Sequence, residues 1–188
     1  PSPSSSDLGK AIRFPEEDVR PMGRPATGVR GMKLLSGDRI VDMEVADPLP
    51  DLPEGVEADE STAEHGMLLT VTEKGYGKRS LLQDYRLQGR GGSGVINIRA
   101  GVRNGHVVGF KLVRPNEGCL LISQEGMTIR FDADSVRQTG RAAMGVKLMN
   151  RGSDEDKVVG IAKIDAAAQA LDMEEELERV RGNVAGVI

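Results

Sequence analysis

An all-β, propeller-like fold of about three four-stranded blades, followed by a short acidic C-terminal helix, is what this sequence predicts. Three observations predict it. One unit is written three times, as VRPMGRPATGV at 19–29, YRLQGRGGSGV at 85–95 and VRQTGRAAMGV at 136–146. Each copy has the same surroundings. A glycine lies ten residues before it (Gly9, Gly75, Gly126), an arginine six before it (Arg13, Arg79, Arg130), and short β-branched runs flank it. Glycine supplies 24 of 188 residues, which suits frequent turns rather than long helices.

The copies are spaced by 66 and then 51 residues. A unit of that length with three or four short strands cannot bury its own apolar face, so neighbouring units must stack, as blades around an axis do. The candidate strands are IVDMEV at 40–45, MLLTVT at 67–72, VINIR at 95–99, VVGFKL at 107–112, CLLIS at 119–123, VKLM at 146–149 and VVGIAKI at 158–164. The imperfect alternation of VINIR points to twisted strands or strands buried on both faces, rather than an ideal amphipathic ribbon. Blades are expected at 1–46, 65–114 and 115–164. In the first, the leading strand is expected to be missing. Its place is held by PSPSSS, which is polar and carries two prolines that cannot donate to a ladder. That asymmetry makes the chain look like a piece of a longer array. Aromatic residues make up 3% of the chain and Trp is absent, so the core must come from Val, Ile, Leu and Met.

Charge is segregated. Residues 47–64 hold seven acids and no Lys or Arg, and read as a solvated linker. Residues 165–188 hold six acids against Arg179 and Arg181, with Asp165 as N-cap and Gly182 as stop for the short helix. Removing both segments leaves 16 acids and 23 basic residues, so a chain of net charge −4 has a body of about +7. That is the layout of a polyanion binder.

The repeated arginines are the candidate contacts. Arg20 and Arg24, Arg86 and Arg90, Arg137 and Arg141 recur at one spacing, joined by Arg13, Arg79 and Arg130. Equivalent residues of stacked blades fall on equivalent edges, so the period becomes a basic stripe that matches the phosphates of a curved duplex. Lys78, Arg99, Arg103 and Lys147 add charge nearby. The competing role for any one arginine is to tie down turn carbonyls.

Other chemistries find little support. The single cysteine, Cys119, allows no internal disulfide framework, fits a reducing compartment and lies in an apolar run that suggests core packing. Nothing at the N-terminus resembles a signal peptide, and no 18-residue apolar stretch occurs, so no membrane partner is expected. His65 and His106 are isolated, which argues against a metal site. GYGKRS at 75–80 puts Arg79 where a P-loop needs Ser or Thr. GRGGSG at 89–94 leads into a strand rather than a helix, against a dinucleotide loop. Tyr76 and Tyr85 stand at repeat positions held elsewhere by Lys10 and Met127, and by Val19 and Val136, so neither is a candidate nucleophile. No catalytic residue and no cofactor is expected.

The stretches GKAIRFPEEDVRPMGR at 9–24, LLTVTEKGYGKRSLLQDYRLQGRGGSGV at 68–95 and VVG at 107–109 and 158–160 resemble the C-terminal domain of DNA gyrase A. The resemblance covers residues 9–164. It implies a β-pinwheel whose blades exchange strands and which wraps double-stranded DNA around a basic rim without reading sequence. It also implies a non-catalytic part of an ATP-dependent type II topoisomerase, assembled with the remainder of gyrase A and with gyrase B as A2B2. A cytoplasmic, nucleoid-associated location follows from the same likeness. The related domain of topoisomerase IV and a protein-interaction propeller are the alternatives. The family's basic heptapeptide is not matched: QGRGGSG at 88–94 has Gly89 and Ser93 at its two outer basic positions, as a later, degenerate blade would.

The acidic tail could compete with DNA for the basic body. Deleting residues 165–188 should therefore tighten binding to a duplex in a fluorescence-anisotropy titration. Unchanged affinity would dismiss the competitor role.

Overall fold

The computed structural model describes residues 2–48 and 66–164. The expected C-terminal helix and almost all of the acidic linker lie outside the described residues. Eleven strands are described: β1 (Ser2–Ser6), β2 (Lys10–Phe14), β3 (Ile40–Met43), β4 (Met67–Thr72), β5 (Tyr76–Leu81), β6 (Val95–Ile96), β7 (Val107–Val113), β8 (Gly118–Ser123), β9 (Thr128–Asp132), β10 (Val146–Lys147) and β11 (Val158–Lys163). They form three antiparallel sheets, ordered β3-β1-β2-β6, β10-β5-β4-β7 and β11-β8-β9. The edge strands β3, β7 and β11 pack on one another in turn and line one side of the stack.

The sheets do not coincide with the repeats. The two-residue strand β6 belongs to the second repeat, yet it pairs with β2 of the first, Lys10 opposite Ile96 and Ala11 opposite Val95. Likewise β10 of the third repeat pairs with β5 of the second, Tyr76 opposite Lys147 and Gly77 opposite Val146. Each of these repeats thus completes the outer edge of the sheet before it. Among the described residues the third sheet has three strands, one fewer than the repeat predicts.

Two expectations need correction. The polar start is a strand: β1 pairs with β2 on one side and β3 on the other, and Ser4, Ser5 and Ser6 are buried. Hydroxyls are tolerated there because local backbone partners satisfy them; Ser5 Oγ donates to the Lys10 carbonyl at 3.2 Å. Proline at position 3 does not prevent the pairing. Second, VINIR is not one strand. Pairing stops at Ile96, where the backbone N–H groups of Asn97 and Ile98 both turn to the carbonyl of Gly9, at 2.8 and 3.1 Å. Leu148 and Met149 do the same at Gly75.

Strand β4 explains its unbroken apolar run. All six of its residues are buried. Met67, Leu69 and Val71 face a core shared with the third sheet, with Cys119, Leu121, Val136 and Met149. Leu68 faces the first sheet, with Ala11, Leu82, Tyr85 and Phe110. A strand covered on both faces loses polar alternation. Cys119 is core, as its sequence context suggests, and burial raises its thiol to about 11.

Polar groups also join the sheets. Asn97 is fully buried. Its Nδ2 donates to Ser5 Oγ at 3.3 Å and Thr70 Oγ1 at 3.1 Å, while Oδ1 accepts from the Tyr85 hydroxyl at 2.5 Å. One amide therefore links β1, β4 and the repeated motif. On the opposite side, Lys111 of β7 reaches Asp42 of β3 at 3.1 Å and Glu44 at 2.7 Å, and Lys157 reaches Glu73 at 3.0 Å.

Replacing Asn97 by alanine would leave buried hydroxyls without partners, each costing about 1–3 kcal/mol. Asn97→Ala should therefore lower unfolding stability by about 2 kcal/mol or more in urea denaturation. An unchanged midpoint would show that this network does not hold the sheets together.

Candidate nucleic-acid interface

The thrice-written motif is the crossing between sheets. Leu87 forms a bridge with Arg13, the chain turns through 89–94, and Val95 arrives opposite Ala11. The third copy repeats this path: Gln138 beside Arg79, then Val146 opposite Gly77. The final glycine of the motif lies hard against the sheet it joins. A Cβ on Gly94 would sit 2.4 Å from the Ala11 carbonyl oxygen, and one on Gly145 would sit 2.6 Å from that of Gly77. Both also have positive φ, 68° and 88°. Only glycine satisfies both demands. The motif so placed lies along the outer edge of the stack.

The thirteen cations expected from sequence divide into two groups. Five are wholly or partly internal struts. Arg13 is buried and its Nη1 donates to the carbonyls of Leu82 and Tyr85 in the next repeat, at 3.4 and 3.3 Å. Burial lowers its pKa from the ordinary value. Arg79 does the equivalent one repeat on, with Nε donating to the Val136 carbonyl at 2.8 Å and Nη1 paired with Asp134. Lys78 is fully buried; its Nζ donates to Ser80 Oγ at 2.5 Å, to the Arg141 carbonyl at 2.8 Å and to the Gly140 carbonyl at 3.3 Å. As phosphate contacts, Arg13 and Lys78 are ruled out by burial. Arg90 and Arg141 are half-buried, and each reaches back to a backbone carbonyl of the preceding repeat, Arg90 to Arg30 at 2.6 Å and Arg141 to Ile96 at 2.5 Å. Their guanidinium groups clamp consecutive repeats.

The remaining eight, Arg20, Arg24, Arg86, Arg99, Arg103, Arg130, Arg137 and Lys147, are exposed. Two of them converge on an aromatic ring. Lys147 Nζ lies 5.1 Å and Arg103 Cζ 5.8 Å from the centre of the Tyr76 ring. A hydrogen bond from Arg103 holds the Tyr76 hydroxyl below its ordinary pKa, aided by the charges of Lys147 and Arg151. Cations stacked on a phenol face keep their outward donors available, a suitable arrangement for phosphate oxygens. The register explains the meeting: Tyr76 and Lys147 are opposed across β5 and β10 and share a sheet face.

The same register adds cations beyond the thirteen. Lys10 holds the Tyr76 position, opposite Ile96. Arg30 and Lys33, both exposed, stand one and four residues after Val29, as Lys147 follows Val146 and Arg99 follows Val95. The signal for these three is in the repeat itself, once charged positions are matched past the motif's last valine.

Comparison with known proteins agrees with this architecture. The family described as DNA gyrase C-terminal domain, beta-propeller, matches residues 5–47, 66–114 and 119–165. The chain belongs to this family. It is 42% identical over 153 residues to the DNA gyrase A of Thermotoga maritima, which covers 81% of the chain and 17% of that protein. The Staphylococcus aureus gyrase A is 40% identical over 165 residues, 88% of the chain and 17% of that protein. The chain thus spans about a sixth of the length of these relatives. A solved DNA gyrase A C-terminal domain overlays 87% of the chain on 50% of its own, with a TM-score of 0.73 and 28% identity. The C-terminal domain of a DNA topoisomerase IV overlays 95% on 50%, with a TM-score of 0.76 and 21% identity, a likeness of fold.

Burial lowers the pKa of Lys78 from 10.5 to about 7, with Asp84 opposing and Arg141 adding to the shift. Below about 7 the amine is charged in both states and the burial penalty is complete; above 10.5 it is neutral in both and the penalty is gone. Between these limits the unfolded chain binds the extra proton, so stability rises with pH. Urea midpoints should climb from pH 7 to 9 in the natural chain and stay flat in Lys78→Met. Equal slopes in the two would place the charge elsewhere.

Proposed function

We propose that the outer edge of the stack binds double-stranded DNA through its phosphates, as the DNA-wrapping part of a gyrase A. The observation that carries this is the Tyr76, Arg103 and Lys147 cluster on the outer edge of a chain of this family. It lies where β10 is exchanged onto β5, with Arg86 and Arg137 on the crossings, Arg99 four residues past Val95, and Arg20, Arg30 and Lys33 at the matching positions of the first repeat. Arg130 completes the series in β9.

These are long cationic side chains at exposed positions. Such a surface reads backbone position and shape, not base identity. Bending 20–30 bp by 40–90° costs on the order of 1–6 kcal/mol, so several contacts must act together. The chain contributes no catalytic group of its own to the proposed reaction. Strand passage and ATP use would belong to the remainder of gyrase A and to gyrase B, in an A2B2 enzyme acting on DNA in the bacterial or organellar interior. Among the described residues no helix is long and apolar enough to cross a membrane.

Each phosphate neutralised on duplex DNA contributes about 0.9 to the slope of log K against log salt. Arg99→Gln, Arg103→Gln and Lys147→Gln combined should therefore reduce the slope by roughly 2–3, with an unchanged circular-dichroism spectrum. Anisotropy titrations from low to moderate salt measure it. A slope near zero in the natural chain, or one that the triple variant leaves intact, would overturn the proposal and favour a protein-binding edge.

A further inference from the structure

Two loops present apolar side chains among the exposed cations, and they occupy the same place in consecutive repeats. The backbone N–H groups of Asp7, Glu73 and Gln124 donate to the carbonyls of Arg39, His106 and Lys157, which aligns the loops that lead into β3, β7 and β11. Four residues ahead of those carbonyls stand Leu35, Val102 and Ser153. Leu35 is 56% exposed and Val102 93%, the latter the most exposed large apolar side chain among the described residues. One exposed apolar residue needs no explanation. Recurrence at one position does, because Lys33 stands exposed beside the first tip and Arg99 and Arg103 beside the second.

Both loops are held out from their bases. Lys33 N–H donates to the Gly92 carbonyl at 2.8 Å and Arg99 N–H to the Ala143 carbonyl at 3.2 Å, so each loop is tied to the crossing of the following repeat. The first tip is closed by Asp38 N–H on the Leu35 carbonyl at 3.2 Å. The second is firmer. Gly101 and Gly105 form a bridge, and the buried Asn104 donates through Nδ2 to the carbonyls of Arg99 and Met144, both at 3.1 Å. Lys74 Nζ holds the Val102 carbonyl at 2.6 Å. The next residue, Arg103, lies over the Tyr76 ring on the outer edge. Valine has one side-chain torsion to fix, so little rotamer entropy opposes a contact at this tip.

A duplex whose phosphates meet Arg99, Arg103 and Lys147 brings a groove to Val102. The two grooves differ in what an apolar tip can do there. A wedge driven between base steps from the minor groove kinks the duplex toward its major groove, away from the wedge. On the inner side of a wrapped duplex that would oppose the curvature. The major groove needs no kink, and the apolar feature it presents is the C5-methyl group of thymine. We infer that Leu35 and Val102 enter the major groove of the bound duplex, one in each of two consecutive repeats, and cover thymine methyl groups. In the third repeat Ser153 and the exposed Asp154 hold that place and offer a methyl no apolar partner. The inference rests on the reading of the outer edge as a DNA surface. It adds a weak preference for thymine to phosphate contacts that carry no sequence information themselves.

Two duplexes of one A·T-rich sequence test it, the second with every thymine replaced by deoxyuridine, which removes only the methyl groups. In anisotropy titrations at one salt concentration, the 188-residue chain should bind the thymine duplex roughly fourfold to tenfold more tightly, about fourfold for each methyl covered. The double variant Leu35→Ser, Val102→Ser should bind the two duplexes equally. Equal affinities in the natural chain, with its salt slope present, would overturn this inference and leave the DNA-binding reading standing. A thymine preference that survives in the double variant would also overturn it, because the methyl groups would then act through duplex shape. Failure to bind either duplex would remove the DNA-binding reading and this inference with it.

Discussion

No sheet in the described fold closes its own outer edge. In the first two sheets that edge is filled by two residues from the following repeat, Val95–Ile96 or Val146–Lys147, delivered by a crossing that ends on a glycine pressed against a carbonyl. An unfilled edge would expose a row of unpaired backbone groups. The exchange satisfies them and makes each repeat a structural dependant of the next. The arginines of the motif, the buried Asn97 and the shared apolar faces of β4 are all ways of fixing that one contact.

This constraint divides the cationic residues. The guanidinium is suited to holding several carbonyls at once, because its planar fork carries five donors and stays charged when partly buried. Arg13 and Arg79 clamp the turn that begins the next crossing, Arg141 clamps the delivered strand β6 at Ile96, and Arg90 clamps the equivalent segment of the first repeat at Arg30. Positive charge brought to the edge for assembly leaves the adjacent exposed positions, Arg86, Arg99, Arg103, Arg137 and Lys147, on the outermost surface. Under the proposed function one motif serves both ends, because the segment that seals the edge is also the segment that a polyanion would touch. Lys78 shows the cost of placing a cation inward. Its ammonium has three oxygen partners but little solvent, and burial moves its titration toward neutrality.

The polar contacts between sheets are not decoration on an apolar core. With three phenylalanines, two tyrosines and no tryptophan, the chain has few large side chains to bridge neighbouring sheets. Asn97 joins Ser5, Thr70 and Tyr85 instead, and Lys111 joins Asp42 and Glu44 on the opposite side. Directional contacts of this kind contribute less than burial per group but specify one mutual placement of the sheets.

What the sequence determined by itself was the repeat: three units, short strands between glycine turns, and the arginines that recur with them. Those features are periodic in the chain and need no partner to be seen. The tertiary structure decided which repeat owns each strand, that Ser2–Ser6 is a central strand, and which arginines face inward. A period establishes that Arg13, Arg79 and Arg130 are equivalent, but not what lies opposite them. A two-residue strand such as β6 has no alternation to detect. A run of serines becomes β1 only because β2 and β3 stand on either side of it to accept and donate its backbone hydrogen bonds.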